Sequence, residues 1–312
     1  MNRLTFFLLR STSFLFSLLS FQMVYGVSNV VCLFLSRIVR YRRKIVLGNL
    51  VKSFPEKSPN EIDCIANAYY RHLCDLIVES IKGLTITKPR LHERFVYKNP
   101  NIFDPFYDKN KSIILLGSHF GNWEWGSLSF PLAVRHKVIG IYKPINNKVV
   151  ENYLNACRKR WGLHLVNMKN AGRAILQHKG QPIMLVLIAD QSPANIKHAQ
   201  WVNFLHQDTP FLHGAEKIAR QTGFPVFHYK IKKTSRGYYE VWFEELSLEP
   251  KKLPEGELTR SYAKQLEHMI VEAPPFWLWS HRRWKRKRKG LNGKRLENNL
   301  THRINPPLSN MS

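Results

Sequence analysis

Apolar residues recur along this chain in two periods, and the switches between them mark out its elements. The run Ile113-Ile114-Leu115-Leu116 is bounded by polar residues and is too short for a helix, so it predicts a buried strand. Further strands are predicted over 137–142, 183–189, 224–230 and 238–245. Helices are predicted over 147–161, 171–180, 214–222 and 256–273. Ser58-Pro59-Asn60-Glu61 is a capping box with proline at the first helical position. After it Ile62, Ile65, Tyr69, Leu73, Leu76 and Ile77 return at mostly three- or four-residue spacing, which predicts an amphipathic helix ending near Gly83 with a core-facing stripe. Strands alternating with helices predict an α/β fold with a mixed, largely parallel sheet covered by helices. Residues 224–245 can form a hairpin turning at Arg236-Gly237, which would make part of the sheet antiparallel.

Ahead of this pattern, no charged residue occurs from Ser11 to Ser36. As one helix those residues would span about 39 Å, enough to cross a bilayer with tilt. Arg3 and Arg10 precede the run, and Arg37, Arg40, Arg42, Arg43 and Lys44 follow it. The heavier basic flank predicts a cytoplasmic catalytic domain. The alternative is a hydrophobic helical hairpin packed on the domain and lying in the membrane interface. The chain therefore divides into an anchor with its basic flank (1–44), a catalytic domain (45–289) and a polar, disordered tail (290–312).

Charge narrows the partners. The net charge of +26 over 312 residues calls for an anionic partner: nucleic acid, anionic lipid or an acidic carrier protein. The basic run from His281 carries Trp284 and follows Trp277 and Trp279, a pattern suited to a belt at headgroup level. No RNA-binding motif accompanies it, so membrane docking is favoured over nucleic acid. Cys32, Cys64, Cys74 and Cys157 show neither a C-x-x-C pair nor zinc spacing, and read as thiols in a reducing compartment.

The chemistry concentrates in Gly117-Ser118-His119-Phe120-Gly121-Asn122-Trp123-Glu124. His119 and Glu124 lie five apart, about 140° round a helix, so one continuous helix would separate them. A turn before a helix can fold Glu124 back towards His119. A carboxylate on one ring nitrogen fixes the tautomer, and the other nitrogen can then take a proton from a substrate hydroxyl. Asn122 and Trp123 flank the turn as candidate substrate contacts. The second His of a zinc-protease motif, the serine elbow and the P-loop lysine are all missing, so neither a metal nor a cofactor is called for. Asp190 follows a predicted strand, where open α/β sheets place ligands, and either orients His119 or binds the acceptor. Tyr142 and Lys143 also stand at a strand end and can line a pocket. Arg158 is the candidate for the oxyanion or for a lipid phosphate.

His119-x4-Glu124 resembles the H-x4-D/E motif of the glycerolipid-type acyltransferases, and GSHFGNWEW resembles the late acyltransferases of bacterial lipid A biosynthesis. The resemblance continues through Arg40-Tyr41-Arg42-Arg43, Phe54-Pro55-Glu56-Lys57, Tyr142-Lys143-Pro144, Arg158-Lys159-Arg160-Trp161-Gly162, Asp190-Gln191 and Trp277-x-Trp279-x-His281-x-Arg283-Trp284-Lys285. It implies a glycerolipid acyltransferase-like fold with an N-terminal hydrophobic membrane helix, at the bacterial inner membrane. It implies transfer of an acyl chain from an acyl carrier protein, or from acyl-CoA, to a lipid A precursor. Gln191 enters the candidate site as part of the Asp-Gln pair. Where the family has a glycine-rich stretch after that pair, this chain has Ser192-Pro193-Ala194-Asn195, so another glycolipid or a phospholipid stands as the alternative acceptor. The rival from a different class is a non-catalytic basic membrane- or RNA-binding protein.

Overall fold

The computed structural model describes residues 2–177 and 180–288, and the tail assigned to 290–312 lies outside them. Its strands are β1 (Phe95–Tyr97), β2 (Ile113–Gly117), β3 (Lys137–Tyr142), β4 (His164–Asn167), β5 (Ile183–Ile188), β6 (Ala199–Phe204), β7 (Gln207–Leu212), β8 (Val226–Ser235) and β9 (Tyr238–Ser247). Its α-helices are α1 (Asn2–Leu18), α2 (Phe21–Leu33), α3 (Arg43–Ser53), α4 (Pro59–Gly83), α5 (Lys88–Arg94), α6 (Asp104–Asp108), α7 (Trp123–Ala133), α8 (Lys148–Lys159), α9 (Ala171–Gln177), α10 (Gly214–Thr222) and α11 (Glu257–Glu272).

Seven strands form one sheet in the order β1-β9-β8-β2-β5-β3-β4. Its neighbours pair in parallel except β8 and β9, the hairpin that turns at Gly237 with φ +78°. Strand β2 shows why an unbroken apolar run was needed. Ile113 and Leu115 enter the core on one face, while Ile114 and Leu116 enter the core on the other. A strand covered on both faces has no solvent side on which to place polar residues. β6 and β7 form a separate antiparallel hairpin. The predicted capping box is present: Ser58 Oγ accepts from Glu61 N–H, and the Glu61 carboxylate accepts from Ser58 N–H.

The uncharged N-terminal run is not one helix. It breaks at Leu19-Ser20, where the Ser20 side chain accepts from Met23 N–H and starts α2. The buried Lys82 ammonium donates to the Phe16, Ser17 and Leu19 carbonyls at 2.7, 3.1 and 2.7 Å, stabilising the end of α1 that the break exposes. A helical stretch over Phe21–Ile38 is 18 residues long with mean hydropathy 1.3, and only 11% of it is buried, so length and composition allow it to cross a membrane. Phe7, Phe14, Leu18 and Val30 are each more than 60% exposed, so α1 and α2 turn apolar surface outward.

Candidate active site

Strand β2 ends at Gly117, where a Cβ would come within 2.2 Å of the Tyr229 hydroxyl. The turn that follows carries His119 and closes at Gly121, whose φ of +63° and contact with Ile231 both exclude a side chain. Gly121 N–H donates to Phe276 C=O at 2.9 Å, which ties the turn to the C-terminal segment. Helix α7 then starts on the Asn122 cap, whose Oδ1 accepts from Trp125 N–H at 2.9 Å.

The neighbouring strand β5 delivers Asp190 to the same end of the sheet. Its Oδ1 lies 2.7 Å from His119 Nδ1, and its Oδ2 accepts from His119 N–H and from Trp277 Nε1–H, each at 2.9 Å. With Nδ1 protonated against the carboxylate, Nε2 is the acceptor, and the Gln191 amide stands 3.1 Å from it. Burial alone would lower the His119 pKa. Asp190, with Glu124 contributing, outweighs that and holds it above the ordinary value of 6.5. Burial likewise works to raise the pKa of Asp190, but His119 and the donated hydrogen bonds keep it below the usual carboxylate value.

Glu124 is therefore not hydrogen-bonded to His119 as the spacing suggested. From the first turn of α7 it receives Arg158 Nη2 at 2.8 and 3.1 Å. The geometry explains the difference: Asp190 comes from an adjacent parallel strand whose end is level with the His119 turn. Asn122 is fully buried and caps α7 while donating to Glu79, so it positions the turn. Trp123 packs edge-on against His119 with ring centroids 5.1 Å apart.

His119, Trp123, Glu124, Tyr142, Lys143 and Arg158 meet around one cavity of about 410 Å³. Its remaining wall is mostly apolar and includes Phe130, Leu163, Leu165, Val186 and Ile188. A His–Asp dyad and an Arg–Glu pair beside a mostly apolar cavity suit transfer of a hydrocarbon-bearing acyl group.

The sequence profile of the bacterial lipid A biosynthesis acyltransferases matches residues 2–286. The chain belongs to that family. It is thus an O-acyltransferase of lipid A biosynthesis type. It is similar to a lipid A biosynthesis lauroyltransferase of Escherichia coli (strain K12), at 22% identity over 259 residues, 82% of this chain and 83% of the relative.

In this acyltransferase the C-terminal tryptophans do not form a headgroup belt. Trp277 and Trp279 are 2% and 0% exposed, and Trp284 donates to Thr209 Oγ1 at 2.7 Å. Trp277 holds Asp190, and His281 Nε2 accepts from Ser192 N–H at 3.1 Å, so the segment braces the Asp190-Gln191-Ser192 loop from behind. Within the basic run Arg283 is buried and donates to Pro210 C=O, whereas Arg282, Lys285, Arg286, Lys287 and Arg288 are exposed.

Sequence reasoning passed over Glu79. It is fully buried on α4 and accepts from Tyr25 Oη–H, Tyr239 Oη–H and Asn122 Nδ2–H at 2.7–2.8 Å. Burial raises its pKa to about 7 despite those donors. The sequence carries its signal: Asp75, Glu79 and Lys82 interrupt the apolar stripe of α4 at helical spacing. Polar groups on a core-facing stripe must find buried partners.

Proposed function

We propose that this enzyme transfers a fatty acyl chain from an acyl carrier protein thioester to a hydroxyl of a lipid A precursor, with His119 as general base. The observation that carries the reading is the 2.7 Å contact between His119 Nδ1 and Asp190, which makes Nε2 the proton acceptor beside the cavity. The acceptor hydroxyl displaces the Gln191 amide from Nε2 and attacks the thioester carbon as Nε2 takes its proton. The imidazolium, supported by Asp190, returns that proton to the leaving thiolate. The apolar wall takes the acyl chain, and Arg158, held in place by Glu124, faces an anionic group of the acceptor or donor. Attack is direct, so kinetics are sequential and both substrates bind together.

The net charge of +26 suits an acidic carrier protein as the donor. The apolar N-terminal surface holds the enzyme at the inner membrane, and the basic flank from Arg37 to Lys44 orients the catalytic domain to the cytoplasm. The test is to mix purified enzyme with labelled acyl carrier protein thioester or acyl-CoA, with a lipid A precursor or a phospholipid, and to weigh the products. The reading requires acylated lipid A precursor from the carrier-protein donor. Acylation of the phospholipid alone, or a transfer-competent acyl group left on the protein, would contradict it.

A further inference from the structure

The mechanism above accounts for the proton but gives the oxyanion no donor. Among the described residues lining the cavity that holds His119, Tyr229 carries a buried hydroxyl with no hydrogen-bond partner. Tyr229 is 3% exposed. Because β2 and β8 pair with Leu116 opposite His228, Tyr229 falls beside Gly117, two residues before His119. The missing side chain at Gly117 admits the phenol, and Phe130 packs edge-on against its ring with centroids 5.0 Å apart. A buried hydroxyl with no partner costs about 1–3 kcal/mol, a cost that a purely structural position would shed as Phe.

We propose that Tyr229 is the oxyanion donor of the acyl transfer, its hydroxyl hydrogen-bonding the thioester carbonyl oxygen. This rests on the reading of His119 as general base. The hydroxyl oxygen of the acceptor bonds to the carbonyl carbon and loses its proton to His119 Nε2. The π pair moves onto the carbonyl oxygen, which Tyr229 Oη–H then holds. Collapse re-forms the carbonyl and breaks the carbon–sulfur bond, and the thiolate takes the proton from His119. Burial, reinforced by the Asp190 and Glu124 carboxylates, keeps the phenol pKa well above its ordinary value. The group therefore remains a donor throughout the working pH range.

The experiment compares wild type, Tyr229→Phe and His119→Ala as purified full chains, with dodecanoyl-acyl carrier protein as donor and a lipid A precursor as acceptor. Tyr229→Phe should lose about 10²-fold in kcat, with KM for the donor little changed and a melting temperature equal to or above wild type. In the His119→Ala background a ¹³C-labelled thioester carbonyl should stretch at lower frequency with Tyr229 present than with Phe. Wild-type kcat in a folded Tyr229→Phe, beside an inactive His119→Ala, would overturn the oxyanion role and leave the base standing. Wild-type rates in both would overturn the underlying reading as well. A lower melting temperature together with a normal stretch in both backgrounds would make Tyr229 structural and end the proposal. Should Tyr229→Phe fail to fold, 3-fluorotyrosine at position 229 provides the same test: a stronger donor should lower the stretch further, and an unchanged stretch overturns the role.

Discussion

The two oxygens of Asp190 divide the work of orienting His119. One meets the ring at Nδ1, and the other fixes the backbone that carries the ring. Trp277 fills the remaining acceptor site, so the carboxylate has few ways to turn. Replacing Asp190 by Asn removes the charge that outweighs the burial of His119 and allows the wrong tautomer. Transfer by Asp190→Asn should fall by about 10²- to 10⁴-fold. The pH dependence gives an independent check. The base must be unprotonated, so wild-type kcat/KM should rise with pH and level off above a His119 pKa that lies higher than 6.5. In Asp190→Asn the limb should move to lower pH, because burial is then less opposed. A limb that stayed put would mean that another group titrates there.

At the level of elements, helix α4 joins α2 to the site. Glu79 ties Tyr25 of α2 to Asn122, the cap of α7. One turn earlier Asp75 accepts from Ser28 of α2 and from Lys233 and Arg236 of the β8–β9 hairpin. The Glu79 pKa lies at about 7, above its ordinary 4.5. A carboxyl whose folded pKa is raised contributes stability below its unfolded pKa and loses it as pH climbs through the folded one. The melting temperature should therefore drop between about pH 5 and pH 8 through this group. Glu79→Gln, an isostere of the protonated form, should flatten that part of the profile. Glu79→Ala should cost about 3 kcal/mol at any pH by stranding its donors. A Glu79→Gln profile that ran parallel to wild type would show that Glu79 stays ionised. The strong periodicities made most of these elements legible in advance: β3 and α10 match their predicted bounds, and β2, β5, β8, β9, α8 and α11 differ only at their ends. Strands β1, β4, β6 and β7 were not predicted, because short or polar strands carry too little pattern. His119, Asp190 and Arg158 stood out as residues, but their pairing depended on strand order. Spacing within one segment pointed to Glu124, and the strand end left Asp190 either orienting His119 or binding the acceptor; the sheet brings Asp190 to the ring.

Taken whole, the enzyme joins an outward apolar surface on α1 and α2 to a strongly basic chain. With the tryptophans buried, that surface is the apolar patch that the proposed membrane docking would use, with exposed basic residues as its electrostatic partner. Changing Phe7, Phe14 and Leu15 to Asp should release the protein from anionic vesicles in a co-sedimentation assay. Added salt should weaken only the residual binding of that variant. Deletion of the first 36 residues would be a poorer test, because it also removes Tyr25 and Ser28 from the core network. Retention of the triple variant at high salt would place the anchor elsewhere. The central claim is that a base at His119 passes the acyl chain directly from thioester to lipid. The most direct measurement is the initial rate of acyl transfer by purified, folded His119→Ala against wild type, using labelled acyl carrier protein donor and lipid A precursor. The mechanism predicts a loss of about 10²- to 10⁴-fold with membrane binding intact, and a rate near wild type would contradict it.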